Sequence, residues 1–195
     1  MPIYRLGKHI PVVSPSAFIH PEAVLIGDVV IAAEVYVGPA AVLRGDFGRV
    51  QLDEGSNLQD TCVMHAFPDK DCVVEKNGHI GHGAILHGCI IGENSLVGMN
   101  SVVMDDSVIG KESVIAACSF VPAKFTCPER SMVIGTPAQV TRELREEEIQ
   151  WKTAGTGEYQ ELAKRSFKEM RLAEPLTEVE TDRPRVSASD FQPKS

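Results

Sequence analysis

Aliphatic residues recur at every sixth position through the middle of this chain. Ile91, Val97, Val103, Ile109, Ile115 and Val121 keep the spacing without a slip. Two residues before each stands a small side chain: Cys89, Ser95, Ser101, Ser107, Ser113 and Ser119. Gly or Ala follows at Gly92, Gly98, Gly110 and Ala116. Upstream the register reads through Ile26, Ile31, Val37 and Leu43, then Leu52, Leu58 and Met64, then Ile80 and Leu86. Interruptions at 44–50 and 66–73 read as loops. A six-residue unit is too short for a helical repeat and suits a short strand plus a bend, the signature of a parallel β-helix. Three units close one triangular coil of about 18 residues. The aliphatic side chain fills the interior, and the small residues let the chain turn at a corner. Neighbouring coils pair backbone to backbone about 4.8 Å apart. No coil buries its apolar face alone, so the stack needs a cap. The pattern leaves the hand of the coil open.

Beyond Val121 the pattern changes, with Pro122, Pro128 and Pro137 breaking the run. Leu144, Trp151, Tyr159, Leu162 and Met170 then form a partial apolar stripe at helical spacing. The chain therefore divides into an all-β body over 1–135, a helical segment over 136–173 and a polar, loosely held tail over 174–195. One or two helices are expected, lying back along the prism or on a partner subunit.

The repeat gives each polar residue an address. The position after the inward aliphatic is normally Gly or Ala, yet Arg44, Gln59, His65 and His87 stand there. With Val74 counted as one hexad, Leu43, Met64 and Leu86 are three hexads apart each time, so they share one edge. His65 and His87 then become neighbours one coil apart, close enough to share a metal at about 2.0–2.1 Å from each. His82, two past Ile80, belongs to the preceding corner, above Asp60. An extended side of about five residues spans ~17 Å, so His82 cannot reach the metal of its own chain. It can reach that of an adjacent chain, in a head-to-tail threefold ring with three interfacial metals. Three imidazoles and an open position describe a catalytic site. Zn²⁺ is the default ion, and Fe²⁺ or Co²⁺ also suits imidazole. Arg44 and Asp46 read as a pair that stitches subunits and orients the site. Gln59 is expected to orient the attacking water, and Asp60 to meet Arg44 of a neighbour. His9, His20 and His79 read as ordinary surface or hydrogen-bonded histidines.

Composition narrows the function. Nineteen basic residues against 27 acidic ones give a net charge of −8, which argues against a nucleic-acid or membrane-surface role. No apolar run is long enough to span a bilayer. The five cysteines show no CxxC and read as reduced thiols of a cytoplasmic protein.

The segments RGD at 44–46, QD at 59–60, His65, and His82 with His87 resemble the γ-class carbonic anhydrase family. GDFGRV, MHAFPDKD, NGHIGHGAILHGCIIG, VIGTPA and EYQEL resemble its hexapeptide-repeat branch of phenylacetic acid degradation and carnitine operon proteins. The resemblance implies a left-handed coil, a homotrimer, and zinc or iron on His65, His82 and His87 across subunit interfaces. It also matches Tyr159 to a site tyrosine. It implies a CoA thioesterase acting on ring-hydroxylated phenylacetyl-CoA species, with Gln59 and Tyr159 assisting attack by a metal-activated hydroxide. Carbonic anhydrase action on CO₂ and acyl transfer from acyl-CoA are the alternatives. Phe47 stands where the carbonic anhydrase prototype has Glu, and the loop after His65 lacks its glutamate-rich shuttle. Both departures weigh against fast CO₂ hydration.

Overall fold

The structure, a computed structural model, describes residues 2–186; the end of the expected tail, 187–195, lies outside the described residues. The chain winds into a left-handed parallel β-helix of about seven turns, followed by a single C-terminal helix among the described residues. One flat face stacks Val63–His65, Ile85–His87, Val102–Val103 and Phe120–Val121, and we call it the first face. The second stacks Cys72–Val74, Ile90–Ile91, Val108–Ile109 and Thr126–Cys127. The third runs from Phe18–Ile19 through Tyr36–Val37, Asn57–Leu58, His79–Ile80, Leu96–Val97 and Val114–Ile115 to Ser131–Gly135.

The register is strict. Met64 lies over Leu43, Leu86 over Met64, Val103 over Leu86 and Val121 over Val103. These interior side chains are completely buried. Corners are made by residues in the left-handed region, again at every sixth position: Asn94, Asn100, Asp106, Glu112, Cys118, Lys124 and Arg130. Asn and Asp reach that region at little cost, other residues at more. The buried serines do more than leave room. Ser95, Ser101 and Ser107 each donate a hydroxyl at 2.9 Å to a carbonyl of the next coil, on Gly110, Ala116 and Pro122. The Ser95 and Ser101 hydroxyls also accept from the backbone N–H of Ser113 and Ser119. A ladder of satisfied polar groups thus runs up each corner where burial would otherwise penalise them.

Three expectations are corrected. In the first coils the inward residue is Leu25, which pairs with Leu43, while Ile26 sits opposite Arg44 on the outer surface. The spacing of six therefore holds through Leu25, Ile31, Val37 and Leu43. The stretch 44–50 is not a plain loop: Val42–Leu52 is one long strand pairing with Val24–Ile31, so two faces share a single sheet. Finally, 138–143 is not helical. Ala138–Glu143 turns back antiparallel on Ser131–Gly135 and covers the exposed edge of the last coil. The helix begins only at Glu146 and runs to Glu169. The Glu148 carboxylate starts it, accepting from the Arg145 N–H at 3.0 Å and from both Arg142 guanidinium nitrogens at 2.7 and 2.9 Å.

The helix lies back along the third face of its own prism. Lys152 is held at Asn77 and Asn94, Gln160 at Gly55 and Asn77, and Tyr159 meets Tyr36 edge-on. Its buried side carries Glu148, Ile149, Lys152, Gly155, Thr156 and Ala163, so it docks largely through polar groups, whereas Met170 of the expected apolar stripe is exposed. No helix among the described residues is long and apolar enough to cross a membrane. Residues 174–186 are exposed and form neither strand nor helix.

Leu86 is completely buried beneath the His65 and His87 edge. Leu86→Ala is expected to cost about 2–5 kcal/mol, because the packed coils above and below limit collapse of the cavity. A lower urea unfolding midpoint is the readout; an unchanged midpoint would mean that the interior repacks freely.

Candidate functional site

His65 and His87 stand opposite each other at the ends of paired strands, as their addresses in the repeat require. His65 Nδ1 and His87 Nε2 are 3.0 Å apart. The remaining ring nitrogens rest on carboxylates: His65 Nε2 lies 2.8 Å from Asp46 Oδ1, and His87 Nδ1 lies 2.6 Å from Asp105 Oδ1. Asp46 Oδ2 also accepts from Arg44 Nη1 at 3.0 Å. A carboxylate on one imidazole nitrogen fixes ring and tautomer and leaves the other nitrogen basic, the usual support of a metal-binding histidine. Two ligands 2.0–2.1 Å from a tetrahedral ion lie about 3.3 Å apart, close to the spacing found between these two nitrogens. The donor set therefore fits a transition-metal ion. Exposed Phe47 and Phe67 cover the two rings, with centroids 5.6 Å from His65 and 4.8 Å from His87.

Asp46 reaches His65 because the long strand bulges. Gly27 pairs with Gly45, but the next pair is Val29 with Val50, so 46–49 stand out above a single residue, Asp28. A Cβ at Gly45 would lie 2.2 Å from the Asp28 carbonyl oxygen, which reserves the middle of RGD for glycine. Asp105 was missing from the sequence reading. Its signal was available: it stands two past Val103, the address that Asp60 has relative to Leu58.

His82 sits at the opposite border of the first face. Its Nδ1 lies 2.5 Å from Asp60 Oδ1, and both side chains are 44% exposed. Its Nε2 faces the Tyr159 hydroxyl at 3.5 Å. Burial above all, then Tyr36, Asp60 and Cys62, pushes the Tyr159 phenol up to about 12, so it remains an O–H donor at neutral pH. Among the described residues of one chain, no three His, Cys, Asp or Glu side chains gather as a metal set. Within the chain Arg44 meets Asp46, and Asp60 meets His82.

A second polar group lies under the helix. Gln59 is buried there, its amide nitrogen 3.1 Å from Asn57 Oδ1 and 2.8 Å from His79 Nε2. His79 Nδ1 meets Asn57 and Thr156 at 3.2 and 3.4 Å, and Tyr159 lies edge-on against the ring at 5.2 Å. His79 is thus a half-buried, hydrogen-bonded histidine, one of the two expected forms. Burial, helped by Lys152 and His82, lowers its pKa to about 3. Burial also lowers Lys152 to about 7, while its ammonium donates to Asn77 O at 2.6 Å and Asn94 Oδ1 at 2.7 Å. Lys152 and Thr156 belong to this cluster and carried no sequence signal, since only tertiary docking brings them to residues more than 50 positions away. Between helix and face lies a cavity of about 560 Å³, with His82 and Tyr159 in its lining.

These features place the molecule in a class: a coiled prism of hexapeptide units with carboxylate-backed histidines at its borders. Residues 88–123 match the bacterial transferase hexapeptide family (six repeats). The chain is 54% identical to the carnitine operon protein CaiE of Salmonella newport, over all of this chain and 99% of the relative. A hexapeptide transferase family protein from Anaplasma phagocytophilum superposes with a TM-score of 0.80 at 35% identity, covering 84% of this chain and 96% of that one. A Bacillus cereus protein assigned as an acetyltransferase gives 0.81 at 32%, covering 83% and 94%. The chain belongs to the hexapeptide-repeat family. The relatives carry the carnitine operon name, and the phenylacetate reading gains no support from them.

The two depressed pKa values fix the sign of a pH effect. A group whose folded pKa lies below its unfolded value is held neutral by the fold, and stability is lost as pH falls between the two values. For His79 the window runs from 6.5 down to about 3, and for Lys152 from 10.5 down to about 7. Acidification therefore loosens the helix in both windows. Melting temperature is expected to fall between pH 7 and pH 4, and His79→Gln to flatten that fall relative to wild type. An identical pH profile in the variant would show that His79 contributes nothing to it.

Proposed function

We propose that the protein is an acyl-CoA-dependent acyltransferase whose reacting groups lie at a border shared between subunits of a homotrimer. One observation carries the reading: at the exposed border of the first face His82 has one ring nitrogen on the Asp60 carboxylate and the other facing the Tyr159 hydroxyl. Family membership supports transfer over the hydrolysis expected from the sequence.

The two histidine borders flank the same face. A head-to-tail threefold ring that turns this face inward sets one chain's His82 against the next chain's His65 and His87. It would also cover Ile85 and Phe120, which this face leaves exposed. Three imidazoles with a fourth position open would hold Zn²⁺, or Fe²⁺ or Co²⁺. Such an ion would supply Lewis acidity to a water when bound, which belongs to hydrolysis rather than to transfer.

The side chains of the chain provide the rest. Transfer uses His82 without the ion: its Nε2 takes the proton of an acceptor hydroxyl or amine as that group attacks the thioester carbon, across the border from the next chain's His65 and His87, whose imidazoles bind the thioester there. The C–S bond then breaks, and the proton returns to the leaving thiolate of CoA. Asp60 keeps the Nδ1 proton in place and steadies the imidazolium that forms between these steps. Tyr159 donates toward the carbonyl oxygen as charge gathers on it. Gln59 acts one layer back, fixing His79 beneath Tyr159.

Hydrolysis, with water as the acceptor, is the second reading. The three carboxylate-backed imidazoles favour it, because acid–base transfer alone needs only one. Phe47 beside His65 gives no route for exporting protons, which disfavours CO₂ hydration.

A panel of acyl-CoA substrates, with and without small amines and alcohols, tests both readings through release of free CoA thiol. His82→Ala is expected to cut turnover at least 100-fold, and Asp60→Asn by a smaller factor, with circular dichroism unchanged. Full turnover in His82→Ala would overturn the mechanism. Chelation separates the readings: transfer survives it and hydrolysis does not.

A further inference from the structure

The cavity between the helix and the third face is larger than a packing defect, at about 560 Å³. Ligand pockets for small molecules run from about 300 to 1,000 Å³. Its walls are mainly apolar, with Leu96, Val114 and Met132 on the prism and Trp151 on the helix. Small residues on the prism side, Gly81, Gly98 and Ala116, leave the space unfilled. Gly98 cannot be larger, since a Cβ there would lie 2.4 Å from the Ala117 nitrogen.

The gap cannot close by sinking of the helix. Glu148 is clamped by Arg142, Lys152 by Asn77 and Asn94, and Gln160 by Gly55. These contacts flank the cavity along the helix and set its height. The lining also carries polar groups, and of these His82, 44% exposed, lies with Tyr159 at a border open to solvent, which we take as the mouth. An apolar chamber of fixed height with acid–base groups at its mouth suits a ligand with an apolar body and a reactive carbonyl.

We infer that this cavity seats the acyl or aryl part of the CoA thioester, with the carbonyl at the His82 and Tyr159 end. The inference rests on the acyl-CoA reading above and adds a preference for apolar acyl groups of several carbons over acetyl. Each buried methylene is worth about fourfold in affinity. The body of the CoA stays outside, beyond the mouth.

Trp151 is the only tryptophan of the chain and lines the cavity, so its fluorescence reports occupancy. The full-length protein is titrated with CoA and with acetyl-, butyryl-, hexanoyl- and octanoyl-CoA, in wild type and in His82→Ala. A saturable change is expected with hexanoyl-CoA in both proteins, tightening about fourfold per methylene from butyryl upward, and none with CoA alone. Val114→Phe, which fills the cavity, is expected to weaken hexanoyl-CoA at least tenfold and to remove the dependence on chain length. If circular dichroism shows that variant unfolded, Ala116→Leu takes its place. Turnover of acyl-CoA with no chain-length dependence, or with Val114→Phe binding like wild type, would overturn the acyl seat and leave the catalytic reading standing. Binding as described in a wild-type protein that turns over no acyl-CoA would sustain the seat and overturn the catalytic reading.

Discussion

Parallel pairing of one coil on the next, with aliphatic stacked directly on aliphatic, is the constraint on which the molecule depends. A slip of one residue would move every Leu, Ile and Val of a coil to the outside and its polar partners to the inside. The interior column from Leu25 through Leu43, Met64 and Leu86 allows no such slip. The same lock decides the outside. Once Met64 and Leu86 are stacked, His65 and His87 stand together whatever the length of the loop between them, and Asp105 arrives one coil above to receive His87. The chemistry of the edge is a by-product of the core.

That is why so much could be read from the chain. A period of six, an inward aliphatic and an outward histidine one position later are local facts, and the coil turns them into distances. Legibility ended where the chain left the repeat. Ile26 is aliphatic and competes with Leu25 for the inward place; the strict period of six selects Leu25, and its pairing with Leu43 agrees. The segment 44–50 looked like a loop because it breaks the period, yet its ends continue the strand around a four-residue bulge. The Lys152, Thr156 and His79 cluster was not legible at all, because the partial apolar stripe of the helix does not include these residues and only docking brings them together.

The helix explains the contrast between the two polar regions. Along the first face the Asp60–His82 pair stays accessible, as groups that act on a substrate must, while His65 is nearly buried beside Asp46. Under the helix, Gln59 and Lys152 are buried and His79 half-buried, all held neutral or fully bonded, so they shape a chamber without titrating in it at neutral pH beyond Lys152 itself. Membership of the hexapeptide-repeat family fits this division, with a common coil and functional side chains grafted onto its borders.

The account stands or falls on the proposed sharing of one site by two chains. Mixing an inactive His82→Ala chain with an inactive chain carrying both His65→Ala and His87→Ala, then reassembling them at equal amounts, tests it directly. In a head-to-tail ring each mixed trimer contains one border where wild-type His82 meets wild-type His65 and His87. About a quarter of wild-type activity should therefore return. No recovery, in reassembled trimers shown by mass to contain both chains, would place the site within a single chain and contradict the account.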